Sequence, residues 1–389
     1  MLRDGSLRRR AERAPIDEVD LPEDSVAVVV GTRPEAIKMS QIVHRLGSAA
    51  LLIHTGQHYS HDLWSAVTDD LGLPQPRVAL TVGGESRSTQ IGDAVSAIGA
   101  LLARESSVRA VVVQGDTNAT LAGAIAANSH GLPLFHVEAG LRSHDRRMPE
   151  EHNRVLVDHL SDLCFAPSRL ARENLIAENI DRARIVLTGN TVVEVARRLL
   201  PGEAERREIC IRYGVAPGRF VLATVHRPEN TDDPQQLHAV LADLRAIDSA
   251  VILALHPRTR AMADPGWLDG LAVVDALPPR VFLSLLAESA LVITDSGGVQ
   301  EEVTVLGRSA LTVRRSTERQ EALGRWSELV QPGEQLRARA AERLRDVGHW
   351  RRVCSGPSPY GDGRASELIV QSICSGIDSS ESSDSRLSA

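Results

Sequence analysis

The feature that most constrains this chain is a repeated unit: a short unbroken apolar run, then a polar or glycine-containing turn, then a helical segment. The apolar runs fall at residues 26–30, 51–55, 108–114, 131–137, 162–166 and 184–188, and again at 220–224, 250–255 and 291–294. Runs without polar alternation read as strands buried on both faces, and strands separated by helices pair in parallel. The fold class is therefore α/β. The alternation pauses at Leu200-Pro201-Gly202-Glu203, and 389 residues suffice for two cores. The reading predicts a mobile arm at 1–24, a first α/β domain at 25–200 and a second at 201–358. A closing helix at 359–374 and a disordered tail rich in serine and aspartate at 375–389 complete it.

Open parallel sheets bind ligands beyond the carboxyl ends of their strands, so the turns carry the candidate chemistry. After the first run comes Gly31-Thr32-Arg33-Pro34-Glu35-Ala36-Ile37-Lys38. A glycine turn and a proline at a helix start suit an anion, with Arg33 and Lys38 at hand. Lys38 is the only lysine among 44 basic residues. After the run at 108–114, Asp116 either caps the following helix or serves catalysis; its place at a strand end favours catalysis.

Residues 136–154, HVEAGLRSHDRRMPEEHNR, hold four carboxylates, three histidines and four arginines. Glu138 ends a strand, while Glu150 and Glu151 follow Pro149 in the first turn of a helix, so Glu138 and Glu150 can aim at one substrate. In the second half, Asp295-Ser296-Gly297-Gly298 follows a strand and opens a helix. Two glycines admit a diphosphate to the backbone, and a carboxylate one turn on, at Glu301 or Glu302, can accept from ribose hydroxyls.

A net charge of -7, with no basic patch interleaved with aromatics, argues against nucleic-acid binding. The four cysteines lack CxxC spacing and nearby paired histidines, so neither a zinc site nor a disulfide framework is expected. No apolar run has the length of a signal-peptide core or a membrane helix, which predicts a cytoplasmic protein.

In order along the chain, the strings GTRPEAIKM, TGQH, GDT, HVEAGLR, PEEHNR, GNT, HRPEN, TDSGGVQEE, TER and PYGDG resemble the bacterial non-hydrolysing UDP-N-acetylglucosamine 2-epimerase family, from residue 26 to about residue 373. The resemblance implies two Rossmann-like domains facing a cleft, a glycosyltransferase-B-like architecture, with the last helix crossing back to the first domain. It implies loss of the C2 proton and of UDP from C1, a 2-acetamidoglucal intermediate, and re-addition of UDP after protonation on the opposite face. A C2 hydrogen beside an acetamido group is not itself acidic, so departure of UDP must be assisted first.

By match, Asp116, Glu138 and Glu150 are the catalytic carboxylates, with Lys38 and His226 also catalytic. Arg33, Arg154, Ser296, Gly297, Gly298 and Glu302 would hold the UDP-sugar. Gln57, His58 and Arg227 fit a second UDP-N-acetylglucosamine acting as activator. No metal or other cofactor is implied, and a homodimer is. Where the family commonly reads TERPE, this chain has Thr317-Glu318-Arg319-Gln320-Glu321. Alternative readings are a UDP-diacetamido-uronic acid 2-epimerase, a hydrolysing epimerase and, less in keeping with three carboxylates, a glycosyltransferase.

Overall fold

Valine-rich runs supply the middle of the first sheet. The computed structural model describes residues 24–56, 71–80 and 86–387; apart from Asp24, the expected amino-terminal arm lies outside them. Among the described residues the first sheet has seven strands: β1 (Ser25–Val30), β2 (Ala50–His54), β3 (Val78–Ala79), β4 (Val108–Gln114), β5 (Leu134–Val137), β6 (Leu163–Ala166) and β7 (Ile185–Leu187). Their order is β3-β2-β1-β4-β5-β6-β7, with parallel pairing. The second sheet has β8 (Phe220–Thr224), β9 (Ala250–Ala254), β10 (Ala272–Val274), β11 (Leu291–Thr294), β12 (Ala310–Val313) and β13 (Ser327–Val330). Its order is β10-β9-β8-β11-β12-β13, again parallel. The molecule is α/β, as the repeated unit requires.

Both faces of each sheet are covered, which explains the unbroken apolar runs. Along β1, Val28 and Val30 join a core with Met39, Ile42, Phe135 and Phe165. Ala27 and Val29 point the other way, to Ile98, Val111 and Val113. In β8, Phe220 and Leu222 serve one core and Val221 and Ala223 the other. Each fully buried Val, Leu, Ile or Phe of this kind is worth about 1.5–3 kcal/mol. Among the described residues no helix is long and apolar enough to cross a membrane, and the four cysteines are unpaired.

The strand orders place the chemistry. In the first sheet the order reverses between β1 and β4, and in the second between β8 and β11. Crevices open beyond the carboxyl ends of strands at such points. The turns that leave those four strands carry Arg33, Asp116, His226 and Ser296.

The chain returns to the first sheet at its end. Pro359 to Gly363 form the turn before the last helix rather than its start; the helix is Ala365–Leu387. The turn is fixed against Gly189 and Asn190: Asn190 N donates to the Tyr360 carbonyl at 2.8 Å, and a Cβ on Gly189, at φ +82°, would stand 2.8 Å from the same oxygen. Arg45 Nε donates to Ser366 Oγ at 2.8 Å, and Ser366 N to Glu194 at 2.7 Å. The disordered tail expected from residue 375 is corrected by this helix, which runs on to Leu387. Ile369, Ile373 and Ile377 repeat every four residues and are all buried in the first-sheet core. That apolar stripe carries the helix into the serine-rich segment despite its polar composition.

Candidate active site

Glu35 ties together the two turns at the first sheet's reversal point. Its Oε2 accepts from Gly31 N at 3.0 Å and Thr32 Oγ1 at 2.8 Å; its Oε1 accepts from Thr117 Oγ1 at 2.7 Å and Thr120 Oγ1 at 3.0 Å. Burial pushes its pKa up, while the hydroxyl and amide donors oppose that rise. The helix Asn118–Ser129 is capped by Thr117, whose Oγ1 accepts from Thr120 N. Asp116 is therefore not needed as the cap and turns its carboxylate elsewhere.

One turn beyond Glu35, Lys38 crosses between the sheets. Its Nζ lies 2.5 Å from Glu138 Oε2 and 2.7 Å from Glu301 Oε2. Arg319 closes the ring: Nη2 is 2.5 Å from Glu138 Oε1 and Nε 2.9 Å from Glu301 Oε1. Asn190 Nδ2 lies 3.1 Å from Glu138 Oε2 and from Glu301 Oε1, and Gln114 Nε2 adds a bond to Glu138 at 3.1 Å. Burial opposes the Lys38 charge, but Glu138 and Glu301 outweigh it and its pKa is raised. For Glu138, Lys38 and Arg319 overcome burial and lower the pKa; for Glu301, burial prevails, helped by the charge on Glu138, and raises it. Glu138 has φ +71°, a left-handed backbone that costs a non-glycine residue about 1–3 kcal/mol. The ionic ring holds it there.

The neighbouring glutamates at the next helix start do different things. Glu151 accepts from Ser143 N at 3.0 Å and His144 N at 2.8 Å, and pairs with Arg154 at 2.5 Å. It fixes the turn. Glu150 faces the cleft, with its side chain 37% exposed and Oε1 3.9 Å from Arg227 Nη1 of the second half. Arg154 holds Asp116 through Oδ2, from Nε at 2.9 Å and Nη2 at 2.6 Å.

In the second half, buried Asp295 accepts from the backbone N–H groups of His226 and Arg227, at 2.9 and 2.8 Å, and from Asn230 at 3.0 Å. Burial lowers the His226 pKa, more than the Asp295 carboxylate 3.2 Å from its Nδ1 raises it. A neutral imidazole results. The helix Gly297–Leu306 begins directly after Ser296. A Cβ on Gly297 would stand 2.6 Å from Glu318 Oε1, whereas one on Gly298 would meet only Ser296 Oγ, at 3.8 Å. Gly297 thus serves packing and Gly298 borders open space.

Glu302 lies near Arg33 and Lys38; burial, with the Glu301 charge, pushes its carboxyl up to about 8. Its buried Oε2 has no hydrogen-bond partner. Arg33 reaches across to the Leu277 carbonyl at 2.9 Å.

The structure brings together the turns bearing Lys38, Glu138, Asp116, Glu150 and Arg154 with those bearing His226, Arg227, Ser296 and Glu302. Gln57 and His58 lie outside the described residues. Lys38, expected beside a bound anion, has its ammonium between the carboxylates of Glu138 and Glu301. Sequence reasoning missed Glu35, Gln114 and Asn190, and gave no role to Glu318 or Arg319. TER and GNT were legible as strings; their meeting across the halves was not. Gln320, where the family pattern has proline, donates from Nε2 to the Arg142 carbonyl at 3.0 Å. The departure adds a bond across the cleft.

The family model described as UDP-N-acetylglucosamine 2-epimerase matches residues 42–374. A UDP-N-acetylglucosamine 2-epimerase of Methanococcus maripaludis is 35% identical over 364 residues, covering 90% of this chain and 98% of its own. A UDP-2,3-diacetamido-2,3-dideoxy-D-glucuronate 2-epimerase of Pseudomonas aeruginosa is 36% identical over 362 residues, covering 89% and 98%. Among solved structures, the Methanocaldococcus jannaschii UDP-GlcNAc 2-epimerase in complex with UDP-GlcNAc and UDP superposes with a TM-score of 0.81 at 34% identity, over 90% of this chain and 99% of that one.

Proposed function

The chain belongs to the UDP-N-acetylglucosamine 2-epimerase family and is an isomerase of UDP-sugars; we propose how its own residues interconvert UDP-N-acetylglucosamine and UDP-N-acetylmannosamine. The observation that carries the reading is the meeting of the two reversal points through Lys38 and Glu301. It sets proton-exchanging carboxylates opposite a helix N-terminus suited to a diphosphate.

UDP binds the second half, its ribose hydroxyls against Glu302 and its diphosphate against Ser296, Gly298 and the amide end of helix Gly297–Leu306. Arg33 and His226 complete that anion site. As the C1–O bond breaks, its electron pair leaves with UDP, and the neutral His226 can donate to the departing phosphate. The charge developing at C1 acidifies C2, a carboxylate takes the C2 proton, and the C–H electrons form the C1=C2 bond of 2-acetamidoglucal. The return sequence delivers a proton to the other face and re-forms the C1–O bond.

Asp116 and Glu150 are the better candidates for the two proton exchanges. Their side chains are 23% and 37% exposed, and only one oxygen of Asp116 is taken by Arg154. Glu138 is 4% exposed at its side chain, with both oxygens occupied, so its role is to hold Lys38 and Arg319 in place and to set the field beneath C2. Arg227, beside Glu150, also borders the place where an activating UDP-sugar would bind. Membership of the family further supports a homodimer in the cytoplasm.

The test is incubation with UDP-N-acetylglucosamine in deuterium oxide, followed by proton NMR. Deuterium at C2 in a mixture containing UDP-N-acetylmannosamine is the expected result. The Pseudomonas aeruginosa relative, of similar identity and coverage, supports a second reading in which the substrate is UDP-2,3-diacetamido-2,3-dideoxy-glucuronate. C2 exchange with that donor alone would establish it; free N-acetylmannosamine would indicate a hydrolysing enzyme. A mass from light scattering tests the dimer.

A further inference from the structure

Beneath the cleft, His136 links the supports of all three carboxylates. It lies on β5 with 1% of its surface exposed. Its Nε2 is 2.8 Å from the carbonyl oxygen of Gly115, the residue before Asp116. Its Nδ1 is 2.6 Å from Asp158 Oδ1, and Asp158 belongs to helix Pro149–Leu160, which carries Glu150 and Arg154. The other Asp158 oxygen accepts from Gly140 N at 3.1 Å and Arg142 Nη2 at 2.7 Å, in the turn that follows Glu138. Gly140, at φ +82°, has no room for a side chain: a Cβ would stand 2.2 Å from the Ala171 carbonyl.

Both neighbours of the ring are acceptors. A carbonyl oxygen offers only lone pairs, and Asp158 is held as a carboxylate by the donors on its other oxygen, the Gly140 N–H and the Arg142 guanidinium. A neutral imidazole has one N–H and would oppose a lone pair to one of these oxygens at hydrogen-bond distance. We infer that His136 donates from both ring nitrogens, carrying its second proton, and is the positioning residue that sets Asp116, Glu138 and Glu150 relative to one another.

The ionisable groups nearest the ring are Asp158 and Arg142; Glu178 bonds Arg142 Nε and Nη2 at 2.7 Å with His159 3.8 Å beyond it, and Arg184 and Asp162 lie on the Cys164 side. Asp158 and Arg142 are fully buried, whereas Glu178 is 28% exposed at its side chain, so an imidazolium at His136 sets a second cation against the one buried carboxylate. Cys164, beside His136 in the β5–β6 register, is pushed far up by burial and by Asp158 and stays a neutral thiol.

The inference rests on the epimerase reading for its consequence but not for its charge state. Neutron diffraction of the unliganded enzyme at neutral pD should show deuterons on both His136 nitrogens; a single deuteron overturns the inference whatever the enzyme's substrate. His136→Gln keeps one amide donor and removes the charge. A turn displaced by about 1 Å can cost about 10²-fold in rate. The expectation is therefore about a 10²-fold fall in kcat, with KM and UDP affinity within threefold of the parent. A folded His136→Gln enzyme with parental kcat, or one whose loss lies in KM, overturns the positioning role. Should that variant not fold, the neutron result still decides the charge, and Asp158→Asn, which weakens the pull on Nδ1, supplies the same kinetic comparison.

Discussion

Lys38, on the helix that follows the first strand of one sheet, places its ammonium 2.7 Å from Glu301, on the helix that follows β11 of the other. The pair joins two folding units at the point where each sheet reverses its strand order. Lys38→Met removes the cation between two buried carboxylates. Loss of one partner from a buried pair costs about 3–5 kcal/mol, and Arg319 keeps the expected loss near the lower end. Urea unfolding of both proteins measures it; epimerisation should fall at the same time, because Glu138 loses one of its two cationic partners.

Asp116 is held by Arg154 but is not buried with it. Asp116→Asn should therefore fold normally and bind UDP as the parent does, while kcat falls by about 10²–10⁴-fold, the usual loss for a positioned acid or base. Calorimetric titration with UDP and initial rates separate the two effects. A parental kcat would remove Asp116 from the proton exchange.

Glu302 gives the unliganded protein a pH dependence of known sign. Its folded-state pKa, about 8, lies above the ordinary 4.5. Between those values the folded protein keeps a proton that the unfolded chain has lost, so this group lowers stability as pH rises from about 4.5 to 8, after which its effect levels off. Glu302→Gln cannot ionise and should flatten that decline, raising Tm relative to the parent at pH near 8 and little at pH near 5. Melting curves across that range check it. The same variant should bind UDP more weakly, through the lost ribose contact.

Adjacent glycines should fail in different ways. Gly297→Ala puts a methyl 2.6 Å from Glu318 Oε1 and should destabilise by about 1–3 kcal/mol through overpacking. Gly298→Ala meets only Ser296 Oγ at 3.8 Å, so the free enzyme should melt like the parent. Its methyl would occupy the diphosphate's approach, and UDP affinity should fall by about 10²-fold, comparable to losing one preorganised donor. Melting and UDP titration of both variants distinguish the two predictions.

How much of this could be read from the chain follows from what is local. The apolar runs and the turns after them specify strand ends, so Asp116, Glu138, Ser296 and Glu302 were within reach before any coordinates. Glu150 was legible from Pro149 and helix-start chemistry. What was not legible depends on two distant segments meeting. Nothing near Arg319 says that it will lie against Glu138, and nothing near Asn190 says that the turn at Tyr360 will hold it there. The tail was misread because serine and aspartate dominate its composition, while the apolar stripe Ile369, Ile373 and Ile377 that starts the helix lies almost wholly before it.

The solitary lysine has a practical corollary. Lys38 is 7% exposed, and 44 basic residues include no other lysine. A protease specific for lysine therefore has a single peptide bond to cut, Lys38–Met39, inside the helix Arg33–Leu46. Cleavage requires this helix to unwind and Met39 and Ile42 to leave the first-sheet core, so the rate at which two fragments appear reads the local and global unfolding that undoes the Lys38 junction.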